Sequence, residues 1–258
     1  MIAELWAWWR LDCLPVAQHM GYRREAAALS VRHRRLRAHW ADHLACTRAA
    51  LIESARACRA APAAPKRAWI MGAGLLHDVP LSELLDLFER IDLVDVAFSP
   101  AARAAARRHD GRVRCVMQDV SGMLAAPAQA PLQAAPDMPP DAWCASVNLL
   151  SQLPLLPCTA LLRQGLPEDE VERRGRAMQQ AHVAALGRAA HACLIIEQAQ
   201  TSVPEDRQRL LPDQPLLPGV PEQLAASGWT RIACWHWPLN PEGETELPEG
   251  RAMQAWSR

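Results

Sequence analysis

The stretch that decides the fold is Arg67–Asp78, RAWIMGAGLLHD, followed by Ile91–Val96, IDLVDV. Arg67–Met71 reads as a buried strand that runs into a glycine turn. A helix is predicted over about Val79–Arg90, and IDLVDV forms the next strand. Asp78 is the expected N-cap of that helix, and Pro80 falls in its first turn, where a missing N–H costs nothing. Downstream the same rhythm continues. A helix is predicted over Pro100–His109, strands over Arg112–Gln118 and Trp143–Val147, a helix over 168–190 and a strand over Ala192–Glu197. Alternation at this spacing calls for an α/β fold with a doubly wound, mostly parallel sheet and right-handed crossovers. Trp229–Trp237 and Arg251–Trp256 break the rhythm: they read as an antiparallel pair closing one sheet edge, joined by the turn-rich NPEGETELPEG at 240–250. The Pro/Ala-rich segment 124–140 is expected on the surface.

Upstream of the deciding stretch lies a different sequence. No Pro or Gly interrupts Arg24–Cys58, where apolar residues recur at helical intervals, so one long amphipathic helix or two in series is expected. Ahead of it, Trp6, Trp8 and Trp9 mark a short apolar helix ended by Pro15, with Gly21 breaking the chain between the two. APAAPK at 61–66 is a proline-punctuated linker. The organisation is therefore a helical extension over 1–60 and a sheet domain over 67–258.

The 258 residues suit one α/β domain with an extension. Lys/Arg and Asp/Glu balance at 28 each, which excludes a uniformly nucleic-acid-coating surface. The balance is uneven along the chain: residues 1–67 carry 12 basic against 5 acidic side chains, a net of +7, and the remainder carries −7. The eight cysteines are scattered and form no CxxC pair, so they read as reduced core thiols and not as metal ligands. Glu4 stands where a signal peptide needs positive charge, and Arg10 and Asp12 interrupt the first apolar run, so no signal peptide is expected. No segment approaches the ~20 apolar residues of a membrane span. A cytoplasmic location is expected.

In a doubly wound sheet, ligands bind at the carboxyl edge of the strands near the switch point. Gly72-Ala73-Gly74 ends the first strand and Asp95 ends the second, so the two lie side by side there. Glycines let backbone N–H groups approach a ligand, the following helix adds partial positive charge, and an acid can accept both hydroxyls of a ribose. His77 stands where a dinucleotide fingerprint needs its third glycine, which disfavours NAD and FAD, and no GxxxxGK[ST] loop is present.

At these residues the chain resembles the class I S-adenosylmethionine (SAM) dependent methyltransferases, over roughly 67–258. Gly72-Ala73-Gly74 is similar to the family's first motif, Asp95 to its ribose-binding acid and Asp119 to the residue near the adenine. Asn148, in SVNLL, is similar to the fourth motif. The resemblance implies a Rossmann-like seven-stranded sheet and SAM as cofactor. It implies a cofactor site made of Gly72, Ala73, Gly74, Asp95, Val96, Asp119, Val120 and Asn148, with Asn148 orienting the acceptor. Two departures stand out. Leu76 replaces the third glycine of GxGxG, and no acid precedes the first glycine, so His77 and Asp78 are the candidates to hold the methionine end. No nucleophile is required, because a sulfonium methyl is already activated and orientation alone is worth roughly 7–11 kcal/mol.

The expected acceptor is a small molecule or an anion. RNA is an alternative, motivated by the basic cluster Arg32–Arg37 with Arg23 and Arg24. A scaffold that keeps the fold without turnover and transfer of SAM's aminocarboxypropyl group, as in nicotianamine-synthase-like relatives, also stay open. His39 and His43 stand four apart without the Glu of HExxH or an evident third ligand, so no metal is expected. The Trp6, Trp8, Trp9 group is expected over the cleft or in a homodimer contact. Glu197 and His236 are secondary candidates for the acceptor pocket. Trp235-His236-Trp237 alternates as a strand does, with both Trp on one face.

Overall fold

The computed structural model describes residues 2–124, 138–202, 214–241 and 249–258. In chain order the extension comprises α1 (Ile2–Arg10), β1 (Asp12–Cys13), α2 (Pro15–Met20), α3 (Tyr22–Arg35) and α4 (Ala41–Ala60). The sheet domain opens with β2 (Arg67–Met71), α5 (Leu81–Leu87), β3 (Arg90–Asp95), β4 (Ala97–Phe98), α6 (Pro100–Arg108) and β5 (Val113–Met117). It continues with β6 (Ala142–Val147), α7 (Leu155–Arg163), α8 (Glu168–Leu186) and β7 (His191–Ser202). It closes with β8 (Gln214–Pro215), α9 (Val220–Ala226), β9 (Thr230–Asn240) and β10 (Glu249–Ser257).

The main sheet runs β5-β3-β2-β6-β7-β10-β9, with the two-residue β8 added on β7. β5, β3, β2, β6 and β7 are parallel, and β10 is antiparallel to both β7 and β9. This is a doubly wound, mostly parallel Rossmann-like sheet that reverses strand order between β2 and β6. It is the seven-stranded sheet of the sequence reading, with the short β8 in addition.

The central strands are apolar on both faces because helices cover both. All six residues of β6 are buried, and Trp143 has no exposed surface. One core packs α4, α5 and α6 residues such as Leu51, Leu84 and Ala102 against Ile70, Leu93 and Ile195; the other packs α8 and α9 residues such as Met178 and Leu224 against Met71, Leu194 and Trp256. The buried Asp92 in β3 is held by Arg67 Nε at 2.6 Å and Arg90 Nη2 at 3.0 Å, which compensates its charge. Ser99 caps α6, its Oγ accepting from Ala102 N at 3.2 Å just before Pro100 in the first turn.

Of the two arrangements expected for 24–58, the structure has two helices in series: Leu36 ends α3, and the turn at 36–40 buries both Leu36 and Trp40. Other local expectations are corrected. α5 stops at Leu87 because Phe88 is extended and Arg90 has already entered β3. Asp78 is not a helix cap; α5 starts at Leu81 with Pro80 in the capping position and no side-chain cap. α7, with Pro154 before it and Pro157 in its first turn, and α9, with Pro221, were hidden by prolines that sit where no N–H is needed. The Pro/Ala-rich segment lies outside the described residues at 125–137, as does the 240–250 turn at 242–248. No described helix is long and apolar enough to cross a membrane.

The extension is tied to the sheet. Asp12 and Cys13 pair with Phe98 and Ala97, and Leu14 N donates to Val96 O at 2.9 Å. The basic cluster is divided by this packing. Arg23 donates to the carbonyls of Trp8 and Trp9 and lies over the Trp8 ring, Arg32 faces the interior cavity described below, and Arg34 and Arg37 are exposed.

Candidate functional site

A cavity of about 590 Å³ lies along the carboxyl edge of the sheet. Its floor is made by residues that end or follow the strands: Gly72, His77 and Asp78 after β2, Asp95 and Val96 at β3, Asp119 and Val120 after β5, and Asn148 after β6. Its roof is the underside of α3. Tyr22, Glu25, Ala26, Leu29 and Arg32 line it at the three- and four-residue intervals of one helix face.

Eight of the ten residues singled out in the sequence are thus brought into one space. Ala73 and Gly74 are not part of its lining. Ala73 is fully buried in the core, and the N–H of Gly74 is taken within the protein by Asp95 Oδ2 at 2.9 Å. A Cβ at Gly74 would stand 1.9 Å from Ala97 O and 2.8 Å from the Asp95 carboxylate, so this position must be glycine for the two strand tips to meet. Gly72 adopts φ +79, and a Cβ there would stand 2.5 Å from Val147 O on the neighbouring strand.

Asp95 is fixed by backbone alone. Its Oδ1 accepts from Val96 N at 2.7 Å and Ala97 N at 3.3 Å, its Oδ2 from Gly74 N. Burial pushes its carboxyl above the usual range, and the three N–H donors pull the other way. Oδ2 keeps one lone-pair site for a ligand hydroxyl. Asp119 organises its own loop: Oδ1 accepts from Ser121 N at 2.8 Å and Ser121 Oγ at 2.6 Å, and Oδ2 from Leu124 N at 3.0 Å.

Between these acids and the rest of the cavity stand Asp78 and Asn148. Asn148 Nδ2 donates to Asp78 Oδ2 at 2.9 Å, which fixes the amide across 70 residues of sequence. Asn148 adopts a left-handed backbone, φ 49, and its Oδ1 is buried without a hydrogen-bond partner. A strained residue with an orphan acceptor at a strand end marks a position under constraint other than folding. Burial pushes the Asp78 carboxyl up to about 6, against the hydrogen bond from Asn148. His77 stacks on His33 of α3 with centroids 3.8 Å apart, and burial, the His33 ring and Arg48 hold its imidazole down to about 3. That contact sets the Arg32 turn of α3 over the loop following β2.

The other end of the cavity was largely missed by sequence reasoning. Trp40, His43, Leu44, Gln152, Glu197, Trp237, Leu239 and Arg251 line it, and only Glu197 among them was singled out for the pocket. Glu197 accepts from Gln152 Nε2 at 3.0 Å and Arg251 Nε at 3.3 Å. His43 stacks on Trp237 at 4.0 Å and accepts from Trp235 Nε1 at 3.0 Å; burial holds its pKa down to about 3. His43 is therefore a neutral ring of the aromatic wall. The alternation of β9 holds, and it turns His236 away from the cavity: its Nε2 lies 2.9 Å from Thr201 Oγ1 on the opposite face. The signal that could have found Trp237 and Arg251 is the amphipathic phase of the two antiparallel strands, since cross-strand partners share a face.

No family model and no curated protein matches the chain. Among solved structures it is similar to the 1,6-didemethyltoxoflavin-N1-methyltransferase of Burkholderia thailandensis with bound 1,6-didemethyltoxoflavin and S-adenosylhomocysteine (18% identity, 88% of each chain, TM-score 0.36). It is similar also to a SAM-bound amino pentose methyltransferase from Micromonospora echinaspora (16% identity, 85% of this chain and 91% of that one, TM-score 0.38). A third is the glycopeptide N-methyltransferase MtfA complexed with SAM (15% identity, 79% of this chain and 86% of that one, TM-score 0.32).

Proposed function

We propose that the chain is a class I SAM-dependent methyltransferase acting on a small molecule. The observation that carries the reading is a single cavity at the carboxyl edge of a doubly wound sheet. In it a backbone-held acid, Asp95, and a half-buried Asp78–Asn148 pair flank the turn at Gly72. When bound, SAM supplies a methyl group already activated on sulfur.

The chain's own residues divide the work of binding. Asp95 accepts a ribose hydroxyl on the free site of Oδ2. Val96, Val120 and the Asp119 loop form the slot for the base. Asp78 takes the place of the acid missing before Gly72 and accepts from the ammonium of the methionine end; a cation there draws its raised pKa down, so Asp78 is ionised in the complex. Arg32, on the roof above the same loop, pairs with the carboxylate. Asn148, locked by Asp78, orients the acceptor, and the α3 roof excludes water. Placement of two reactants in line is the contribution such a site makes to rate.

Calorimetric titration of the purified chain with S-adenosylhomocysteine tests this reading. Saturable one-to-one binding is expected, with transfer of label from methyl-labelled SAM to a small molecule of a cell extract. Absence of binding at millimolar ligand removes the cofactor assignment, and binding without any label transfer leaves a scaffold.

A further inference from the structure

The acceptor end of the cavity has a charge imbalance. Glu197 on β7 is 6% exposed. Its counter-charge, Arg251, is shared: Nε reaches Glu197 Oε2 at 3.3 Å, while Nη1 reaches Glu249 Oε1 at 2.5 Å and Gly250 O at 3.0 Å. Among the described residues at this end one guanidinium thus serves two carboxylates, leaving an excess of negative charge that Gln152 Nε2, donating to Glu197 Oε1 at 3.0 Å, meets only in part. Such an excess is costly unless a cation or further N–H donors approach it. The 3.3 Å contact is long for a charge-assisted bond, so Glu197 keeps acceptor capacity toward the cavity.

Its surroundings are aromatic. Trp237 and Trp40 line the cavity with ring centroids 5.1 Å apart and edge-to-face, and the indole N–H of Trp237 is buried without a partner. β7 carries a β-bulge beside Glu197, since Ala252 pairs with Ala199 and Met253 with Glu197 and Gln198 is the extra residue, a device that re-aims side chains beside sites. Glu197 stands on β7, three strands from Asp95 on β3; at ~4.8 Å per strand this is about 14 Å, room for the donor between them.

We propose that Glu197 holds the methyl acceptor, and that the acceptor is an amine carried on an aromatic skeleton. The inference rests on the methyltransferase reading. The ammonium pairs with Glu197 and the ring lies against the tryptophan wall, where a cation near an indole face gains further attraction. The carboxylate takes one proton from the ammonium, and the freed nitrogen lone pair forms the new N–C bond. The C–S bond breaks with its electron pair remaining on sulfur, leaving a thioether. The product is the methylated ammonium, and the proton on Glu197 passes to water. Burial raises the Glu197 pKa, which suits a group that must accept this proton. A carboxylate or phosphate ligand at this end would meet Glu197 and an Arg251 already engaged by two carboxylates.

The test uses ligand-observed NMR on the full chain, alone and saturated with S-adenosylhomocysteine, with phenethylamine, 2-phenylethanol and phenylacetate as probes. Phenethylamine is expected to bind ~10-fold or more tighter than the other two, the low end for a charge-assisted hydrogen bond. Glu197→Gln is expected to erase that preference and leave S-adenosylhomocysteine affinity unchanged within about twofold, whereas Glu197→Asp keeps part of it. Equal or tighter binding of phenylacetate overturns the proposal, as does a preference that survives in E197Q. If E197Q does not fold, the wild-type order of the three probes decides. Failure of S-adenosylhomocysteine to bind counts against the methyltransferase reading alone, because the apo protein still reports on Glu197.

Discussion

The two ends of the cavity are built on different plans. The Asp95 end is made by residues within one short span, 72–120, at the tips of adjacent parallel strands, and its key contacts are backbone N–H groups on a carboxylate. The Glu197 end is assembled from α4, the turn after β6, β7, β9 and β10, and its contacts are between side chains. A backbone-built subsite is fixed by where glycine is required. A side-chain-built one can change its ligand without changing the fold.

Substitutions that respect or cross this boundary break or sharpen the comparison. The largest effect is expected from Gly74→Ala. A Cβ 1.9 Å from Ala97 O cannot be accommodated by side-chain motion, so a loss of ~3–5 kcal/mol, read by denaturant unfolding, is expected. Gly250→Ala at the other end meets only side chains, the His236 ring at 2.2 Å and Thr201 Oγ1 at 2.7 Å, which can shift where a backbone carbonyl cannot, and is expected to cost less. Asp95→Ala is expected to weaken S-adenosylhomocysteine ~10- to 150-fold by calorimetry, from loss of a charged hydrogen-bond acceptor worth ~1.5–3 kcal/mol. Aromatic amine binding should persist in it; unchanged cofactor affinity would remove Asp95 from the site.

Asp78→Asn is expected to act in two opposite directions. A carboxyl whose folded pKa is raised to about 6 favours the fold most below its unfolded value and loses that contribution as pH rises through 6. The Asn variant should therefore be more stable than wild type by roughly 1–2 kcal/mol at pH 7.5, allowing for solvent in the cavity, with the gain gone near pH 3. Cofactor affinity should fall in the same protein. No stability gain at pH 7.5 would refute the burial argument. The smallest effect is expected from Trp235→Phe, which deletes the bond to His43 Nδ1 for about 1 kcal/mol and leaves cofactor affinity intact.

The same division governs what could be read from sequence. β2, the glycine turn and β3 were legible because their order along the chain is their order in space. Asp78 was misread as a helix cap for the complementary reason. Its neighbours Val79 and Pro80 look like a helix start, while its partner Asn148 lies 70 residues away and no local pattern announces it. α7 was overlooked because Pro154 and Pro157 resemble a loop until their positions at a helix start are seen. Trp237 and Arg251 were invisible as site residues because their role depends on the register of β9 against β10. The break at 36–40 follows from the burial of Leu36 and Trp40, which helical periodicity alone does not reveal.

The two-residue ladder between β1 and β4 sits immediately after Asp95, so the extension is stitched to the strand tip that carries the acid. Excision of residues 1–60 would strip the ceiling from the cleft and leave Val96–Phe98 without its cross-strand neighbours. A stand-alone 67–258 fragment is therefore expected to be sticky and blind to nucleoside, and any chimera that borrows this sheet must carry its own first sixty residues with it.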